Sequence, residues 1–308
     1  MLTERLPNRL QITGMSIMNL TRTVTLAALA AMVTQPALAN QRRGGGKLLL
    51  TNGVSSVEGA AGGGLATWAV IAGNETEDGI GGTAHATFVA LPDFDLGSVG
   101  AAIGVSDRIE LSYAYQRFDT RAAGAALGLG RGFTFRQHIG GAKVKLVGDA
   151  VWAQDTPLPQ IAAGVQYKIA ERGTVVKAVG ATETQGADFY VAATKLWLAQ
   201  GIVADATVRF TKANQLGLLG FGGPRQSDRT AQFEGSLAKM LTRKFVVGAE
   251  YRTRPDNLGF AEEDDSYDLF AAWAVHRNVS LTAAYVDLGD IATVRKQRGL
   301  FLSVQGGF

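Results

Sequence analysis

Charged side chains recur at alternate positions along many segments of the chain, and their chemistry is the most informative feature of the sequence. Carboxylate, ammonium and guanidinium groups that face one another either pair into a closed network or line water and select ions. Glu250, Arg252 and Arg254 are grouped most closely, so they are candidates for a constriction or for a site that binds an anionic group. The full set of candidates is Glu110, Lys143, Lys145, Lys168, Asp205, Arg209, Glu234, Glu250, Arg252 and Arg254.

Residues that could catalyse a reaction or bind a metal are sparse. The chain has no Cys, and its 3 His, at positions 85, 138 and 276, do not lie at metal-ligand spacing. His138 would serve a lipid hydrolase only with a serine on the neighbouring strand and an orienting acid, and no G-x-S-x-G motif occurs. The glycines at 128–132 do not form a nucleotide-binding motif. We therefore predict no catalytic residue, no metal and no cofactor.

The segments that must position the charged residues alternate apolar and polar side chains with a period of two, which is typical of β-strands with one apolar face. In the segment 160–169, for example, Ile161 and Val165 share one face while Gln166 and Lys168 share the other. The segments have roughly the ten residues needed to cross a tilted bilayer, whereas sandwich strands are usually shorter. Aromatic residues often end the apolar face, as they do at bilayer interfaces. We predict an all-β fold, a transmembrane antiparallel up-and-down β-barrel, rather than a secreted sandwich.

Counting back from the C-terminus gives twelve predicted crossings. They are 83–91, 96–105, 108–118, 138–147, 159–170, 187–198, 202–213, 230–241, 245–254, 266–275, 279–288 and 299–308. Short connections alternate with long ones, which predicts short periplasmic turns and long external loops. The Gly-rich segment 40–82 is less regular. Within it, 48–57 and 65–72 could form an extra hairpin and bring the barrel to fourteen strands, or the segment could lie inside the lumen.

Residues 1–39 have the pattern of a cleaved signal peptide, which predicts export. Together with the predicted barrel, export places the chain in the bacterial outer membrane. Arg22 precedes an apolar run at 24–33, and Ala37-Leu38-Ala39 is a small-residue cleavage site. Residues 1–14 lack signal character, so either translation starts at a later Met or the charged n-region is long. The apolar run is about half of what a membrane-spanning helix needs.

The charge balance and the C-terminus bear on partners. The chain has 30 basic and 27 acidic residues, and no basic stripe with interleaved aromatics, so we expect no nucleic acid. The chain ends on Phe308 after alternating apolar residues, which resembles the signature that the barrel-insertion machinery recognises. Outer-membrane lipid and lipopolysaccharide are the other expected partners, and we expect a monomer.

Two kinds of predicted external loop are unusual. Apolar loops carry the candidate gating residues Leu129, Arg131, Phe133, Leu218, Phe221 and Phe260. These loops could fold into the lumen as a plug, or they could form an apolar entrance for a hydrophobic solute. The acidic run 262–265 could bind Ca²⁺ although it lacks EF-hand spacing, or it could be a solvated loop that meets lipopolysaccharide through divalent ions.

Five segments of the mature chain carry a family resemblance. They are GAAGGGL (59–65), ALGLGRGFTFRQ (126–137), ANQLGLLGFGG (213–223), EYRTRPDNLGF (250–260) and AYVDLGDIA (284–292). Together they resemble an uncharacterised, domain-of-unknown-function family of exported proteins of Gram-negative bacteria. The resemblance covers nearly the whole mature chain and implies an outer-membrane barrel. It carries no known chemistry, so it leaves the function open.

Three functions follow from these observations. The first is a passive channel or binding pore for small solutes, without catalysis, in which lumen charges give selectivity and loops form the gate. The second is a closed structural barrel whose external loops dock another envelope component or lipopolysaccharide. The third is an outer-membrane lipid hydrolase that uses His138. An open path through the lumen would favour the first function over the second.

Overall fold

Twelve antiparallel strands close into a barrel in the computed structural model, which describes residues 46–308. Two short strands inside the barrel precede the wall, β1 (Val54–Ser55) and β2 (Ala61–Gly62). The wall consists of β3 (Ile80–Ala90), β4 (Asp95–Val105), β5 (Ile109–Asp119), β6 (Thr134–Val147), β7 (Gln160–Ala170), β8 (Gln185–Trp197), β9 (Ile202–Thr211), β10 (Thr230–Thr242), β11 (Phe245–Arg252), β12 (Ser266–His276), β13 (Val279–Asp287) and β14 (Arg298–Gly307).

Each wall strand pairs with its neighbours in sequence, and β14 pairs with β3 to close the barrel. The predicted up-and-down barrel with twelve crossings is therefore confirmed. The alternative of fourteen strands is wrong, because β1 and β2 pair only with each other and add nothing to the wall. The predicted signal peptide at 1–39 lies outside the described residues.

The alternation of side chains along the wall explains the period of two in the sequence. In β5, Leu111 and Tyr113 are exposed on the outer face, whereas Glu110 and Gln116 are buried on the inner face. Large exposed apolar residues recur on the outer face of the other strands, as in Leu269 of β12. An outward apolar band with polar residues inside is the arrangement of a lipid-embedded barrel. No helix among residues 46–308 has the length and hydropathy needed to span a bilayer.

The two ends of the barrel differ in the connections they carry. At the end that we call the turn end, most connections are short, such as 106–108 and 243–244. At the other end, the loop end, longer connections fold over the opening. They contain α1 (Ala123–Ala126), α2 (Gly173–Ala178) and a 3-10 turn (Asn214–Gly217).

Residues 46–79, which we call the lumen segment, run inside the barrel and return to the turn end. Positions 51–73 are all buried. The segment is tied at the turn end, where Lys47 Nζ lies 2.7 Å from Asp107 Oδ1. It leaves beside the C-terminus, because the Phe308 carbonyl accepts from the backbone N–H of Asn74 and of Gly82 over 2.9 and 3.1 Å. The lumen of this barrel is thus occupied by its own chain.

Candidate functional site

Glu58 of the lumen segment is fully buried and lies among three cationic side chains of the wall. Arg252 donates from Nη1 to Glu58 Oε2 over 2.8 Å, and Lys168 donates to Glu58 Oε1. Arg209 Nη2 lies 3.7 Å from Glu58 Oε2. A buried charge is costly unless it is paired and hydrogen-bonded, so these contacts fix the lumen segment in one position.

The same cations are paired with carboxylates of the wall itself. Arg209 donates from Nε to Glu234, and Lys168 Nζ lies 2.6 Å from Asp188 Oδ2. Arg209 also donates from Nη2 to Thr67 Oγ1 of the lumen segment over 2.8 Å. Of the two outcomes considered for the lumen charges, these residues form the paired network and do not line an aqueous path.

Other charged residues of the wall bind the backbone of the lumen segment. Glu110 accepts from the N–H groups of Ala61 and Ala72 over 3.2 and 2.9 Å. Glu250 accepts from the N–H of Leu65 over 2.8 Å. Because buried peptide groups must find partners, these carboxylates replace the water that would otherwise solvate the segment.

Lys143 and Glu234 complete this set of backbone contacts. Lys143 Nζ donates to the carbonyl oxygens of Val70 and Trp68 over 2.7 and 3.1 Å, while Glu234 accepts from the N–H of Thr67 over 2.8 Å. Seven of the ten candidate charged residues therefore touch the lumen segment directly. They are Glu110, Lys143, Lys168, Arg209, Glu234, Glu250 and Arg252.

The remaining three candidates lie elsewhere. Lys145 is at the turn end, where it pairs with Asp107 over 2.5 Å, and so is remote from any constriction. Asp205 accepts from Thr194 Oγ1 over 2.5 Å within the wall. Arg254 follows the end of β11 and lies at the loop end, beside a cavity.

The cavity has a volume of about 320 Å³ and lies between the lumen segment and the loops of the loop end. Its walls are mostly apolar, and the rings of Phe94 and Phe118 stack at a centroid distance of 5.0 Å. Leu65 of the lumen segment contributes one side of the cavity. The polar lining residues are Thr120, Gln215, Arg252, Arg254 and Ser266. A concave apolar site with a few polar groups is the usual form of a small-molecule site, and this one is at the small end of the usual range.

The structure places the six candidate gating residues in different surroundings, and only three of them line the cavity. Leu129, Leu218 and Phe260 line the cavity. Phe221 is buried and pairs through its backbone with Glu183. Phe133 packs against the core beneath the guanidinium of Arg172, whereas Arg131 is exposed.

Arg254 is held at the cavity by neutral acceptors. It donates from Nε to the carbonyl of Asp264 over 2.7 Å, from Nη1 to Gln215 Oε1 over 2.9 Å, and from Nη2 to the carbonyl of Leu288. Gln215 has a left-handed backbone, with φ of 44°, and its N–H is bound by both carboxylate oxygens of Glu263, at 2.8 and 3.0 Å. Loop residues thus build a polar corner on an otherwise apolar cavity.

Glu263 is the carboxyl group of this corner whose pKa is shifted most clearly. Burial raises the pKa of Glu263 to about 7, although Arg254 and the bond from Gln215 act in the opposite direction. Two other acidic residues of the run 262–265 bind separate partners. Asp264 accepts from the N–H of Asp290, and Asp265 accepts from Tyr251.

His138 lies on the outer face of the wall. Its Nδ1 is 2.7 Å from the hydroxyl of Tyr113, and its Nε2 is 3.0 Å from Glu171 Oε1. An orienting acid is therefore present. In the described part of the chain, however, the hydroxyl bonded to His138 is a phenol and not the serine that a hydrolase of this type needs.

Sequence reasoning missed Glu58 and Gln215. Glu58 left a signal that could have been used, because it is the one charged residue between Lys47 and Glu75, and the wall offers a group of cations. Gln215 left none, since its importance depends on a loop conformation that no periodicity describes.

Residues 51–305 match the model of a family described as a protein of unknown function (DUF3034). No curated protein matches the chain. The barrel is similar to that of the KdgM porin solved in complex with disordered oligogalacturonate, with 8% identity over 73% of this chain and 99% of that chain, and a TM-score of 0.48.

Two further solved structures are similar at the same level. The outer membrane protein Omp33 of Acinetobacter baumannii has 9% identity, over 76% of this chain and 100% of that chain, with a TM-score of 0.42. The outer membrane phospholipase A of Escherichia coli has 9% identity, over 73% of this chain and 89% of that chain, with a TM-score of 0.41. At such identities the likeness concerns the fold alone.

Proposed function

The chain belongs to the family described as a protein of unknown function (DUF3034), and from the geometry of its site we propose that this outer-membrane β-barrel binds a small apolar solute at its loop end. In this proposal the loops hold the solute in the cavity, and the lumen segment keeps the lumen closed beneath it. Passage of the solute would require the lumen segment to move.

The observation that carries the proposal is the cavity itself. Loops exposed to water are normally polar, yet these loops line a concave, partly open volume of about 320 Å³ with Leu129, Leu218 and Phe260. Apolar surface that is not packed against protein is costly in water at about 25 cal/mol per Å². A bound apolar molecule would recover that free energy by covering the surface. A barrel with a purely structural role would be more stable if its loops packed together and left no such cavity.

A freely open channel agrees less well with the contacts in the lumen. The charged residues that could line water are bound to Glu58 or to the backbone of the lumen segment. Leaving a buried charge without its partner costs about 3–5 kcal/mol, and release of the segment would break several such contacts together, so spontaneous release would be rare. The proposal is therefore a binding pore whose resting state does not conduct ions.

Binding can be measured with a ten-carbon chain, supplied radiolabelled as decanol or as decanoate, on the protein in lipid nanodiscs. The saturable part that exceeds binding to empty nanodiscs reports the site. Leu218→Trp fills the cavity and is expected to lower affinity at least about tenfold, since overpacking costs roughly 1–3 kcal/mol. Leu129→Trp offers a second filling variant on another loop.

Leu269→Trp is the matched control, because Leu269 faces lipid on the outer wall. It is expected to bind as the natural protein does. Saturable binding that both filling variants retain, or no saturable binding of either ten-carbon probe, would refute the proposed function.

A further inference from the structure

We propose that the solute held in the cavity is an apolar chain that ends in an anionic group such as a carboxylate, and that Arg254 and Gln215 bind that group. The inference rests on the proposed function and adds the chemical class of the solute. It depends on two features of the polar corner. Within residues 46–308, the positive charge of Arg254 has no carboxylate partner, and the side-chain NH₂ group of Gln215 is buried without a hydrogen-bond acceptor.

Arg254 lies at the cavity without a carboxylate partner. Among residues 46–308, no carboxylate oxygen lies within the 4 Å that defines an ion pair with this guanidinium, although the side chain is buried. Its hydrogen bonds go to two backbone carbonyls and one amide oxygen. A buried cation satisfied only by neutral oxygens retains an attraction for an anion, because its charge is desolvated but not balanced.

Arg252 provides the contrast on the same face of the barrel. It also borders the cavity, yet it bonds to Glu58 over 2.8 Å and lies 3.4 Å from Glu234. Its charge is therefore balanced within the protein. Of the two arginines at the cavity, Arg254 is the one that a ligand can complement.

Gln215 supplies the second, independent feature. Only 7% of this residue is exposed, and its Nε2 has no hydrogen-bond partner among the described residues. The donation from Arg254 Nη1 fixes the orientation of the amide, since the oxygen must face the arginine and the NH₂ group must face away from it. A buried donor left without an acceptor is unfavourable, so a ligand that supplies the acceptor is stabilised at this position.

One anionic ligand would satisfy both groups. A carboxylate has two oxygens that accept from a guanidinium and an amide N–H together, and charge-assisted bonds of this kind are roughly twice as strong as neutral ones. Glu263, Asp264 and Asp265 of the same loop act on Arg254 electrostatically without pairing with it, so they offset part of its charge and limit the affinity for an anion.

The size of the cavity limits the apolar part of the ligand. A water molecule takes about 30 Å³, and one carbon unit of an alkyl chain has a similar size, so the volume of 320 Å³ accommodates about ten such units. A chain of roughly that length with a terminal carboxylate fits both the volume and the polar corner. Decanoate is accordingly the probe, and decanol is its neutral counterpart.

The experiment compares the two probes on the full-length protein in nanodiscs by equilibrium dialysis at pH 6.5. Decanoate is expected to bind at least about tenfold more tightly than decanol to the natural protein. Arg254→Gln should abolish that preference, since it removes the charge that the carboxylate would pair with. Affinity for decanol should change less than about twofold. Arg254→Lys restores the charge and should recover part of the preference.

Gln215→Leu is a second test that keeps Arg254 in place, and it should lower the affinity for decanoate by about three- to tenfold, as expected for the loss of one charge-assisted bond. Arg229→Gln is the matched control, because Arg229 is exposed at the loop end and donates to the carbonyl of Ala187, away from the polar corner. It should retain the preference for decanoate.

Each outcome separates the two proposals. Equal affinity for decanol and decanoate in the natural protein overturns the anionic ligand and leaves the apolar solute site standing. The same holds if Arg254→Gln and Gln215→Leu weaken both probes equally. Absence of saturable binding for both probes refutes the proposed function and the present inference together.

Discussion

Arg252 Nη1 donates to Glu58 Oε2 over 2.8 Å and thereby joins the wall of the barrel to the segment inside it. The two residues are 194 positions apart in the chain. Arg252 also donates to the carbonyl of Leu65 over 3.0 Å, so one side chain holds the lumen segment at two points. The closed state of the lumen depends on this pairing.

Glu58→Gln should destabilise the folded barrel. The substitution leaves Lys168, Arg209 and Arg252 near a neutral amide, and uncompensated buried charge costs about 3–5 kcal/mol. For a chain of this size we expect the midpoint temperature of unfolding to fall by about 5–15 °C. The midpoint can be measured by heating samples and following the change in gel migration between the folded and the unfolded barrel. Glu77→Gln changes an exposed carboxylate of the same segment and should leave the midpoint unchanged. Equal midpoints for the two variants would contradict the central role of Glu58.

Gly63→Ala should also loosen the lumen segment, for a steric reason. A Cβ at Gly63 would lie 1.8 Å from Glu250 Oε1, the carboxylate that binds the N–H of Leu65. Either the backbone or Glu250 must shift, and overpacking of this kind costs about 1–3 kcal/mol. Gly140→Ala is the control, since nothing lies within 4 Å of the added Cβ. Limited proteolysis of the lumen segment should distinguish the two variants, and equal cleavage rates would disprove the close packing.

Removal of residues 46–73 should convert a silent barrel into a conducting one. Both ends of the deleted part lie at the turn end, and β3 begins only at Ile80, so the wall keeps all its strands. Without the segment, the charged residues that it contacts would face water in a lumen wide enough for ions, since twelve strands exceed the eight that side chains can fill. Planar bilayer recordings are expected to show discrete conductance steps for the deletion variant and none for the full chain. Conductance of equal size in both proteins would show that the segment does not close the lumen.

The wall of the barrel could be predicted from the sequence because lipid imposes a strict rule on it. Each crossing places an apolar residue outward at every second position, as in 160–169, and all twelve predicted crossings coincide with wall strands. The sequence pattern predicts the start of β6 four residues late, at 138 instead of Thr134, because buried Phe135 and outward Arg136 reverse the expected alternation at the loop end.

The lumen segment obeys no such rule. It is surrounded by protein on all sides, so apolar Val57, charged Glu58 and glycines such as Gly63 are all buried and no alternation results. The sequence also placed Arg252 and Arg254 together, since they share one face of a predicted strand. Only the structure separates them, because β11 ends at Arg252 and the chain then turns over the cavity.

The polar corner at the loop end should respond to pH through Glu263. Burial raises the pKa of Glu263 from its usual range to about 7, so the folded loops bind a proton more tightly than the unfolded chain does. The stability that this proton confers is complete below the usual carboxyl pKa and is lost as the pH rises through about 7. Loops 253–265 and 212–229 should therefore be cleaved more slowly by an added protease at pH 5.5 than at pH 8.

Binding of decanoate should follow the same titration. Protonation of Glu263 removes a negative charge beside Arg254, so affinity for the anion should rise between pH 8 and pH 6, while decanol affinity should remain constant. Glu263→Gln mimics the protonated carboxyl and should remove the pH dependence over this range. Glu262→Gln neutralises the exposed neighbouring carboxylate and should preserve it. A pH dependence that persists in Glu263→Gln would assign the titration to another group.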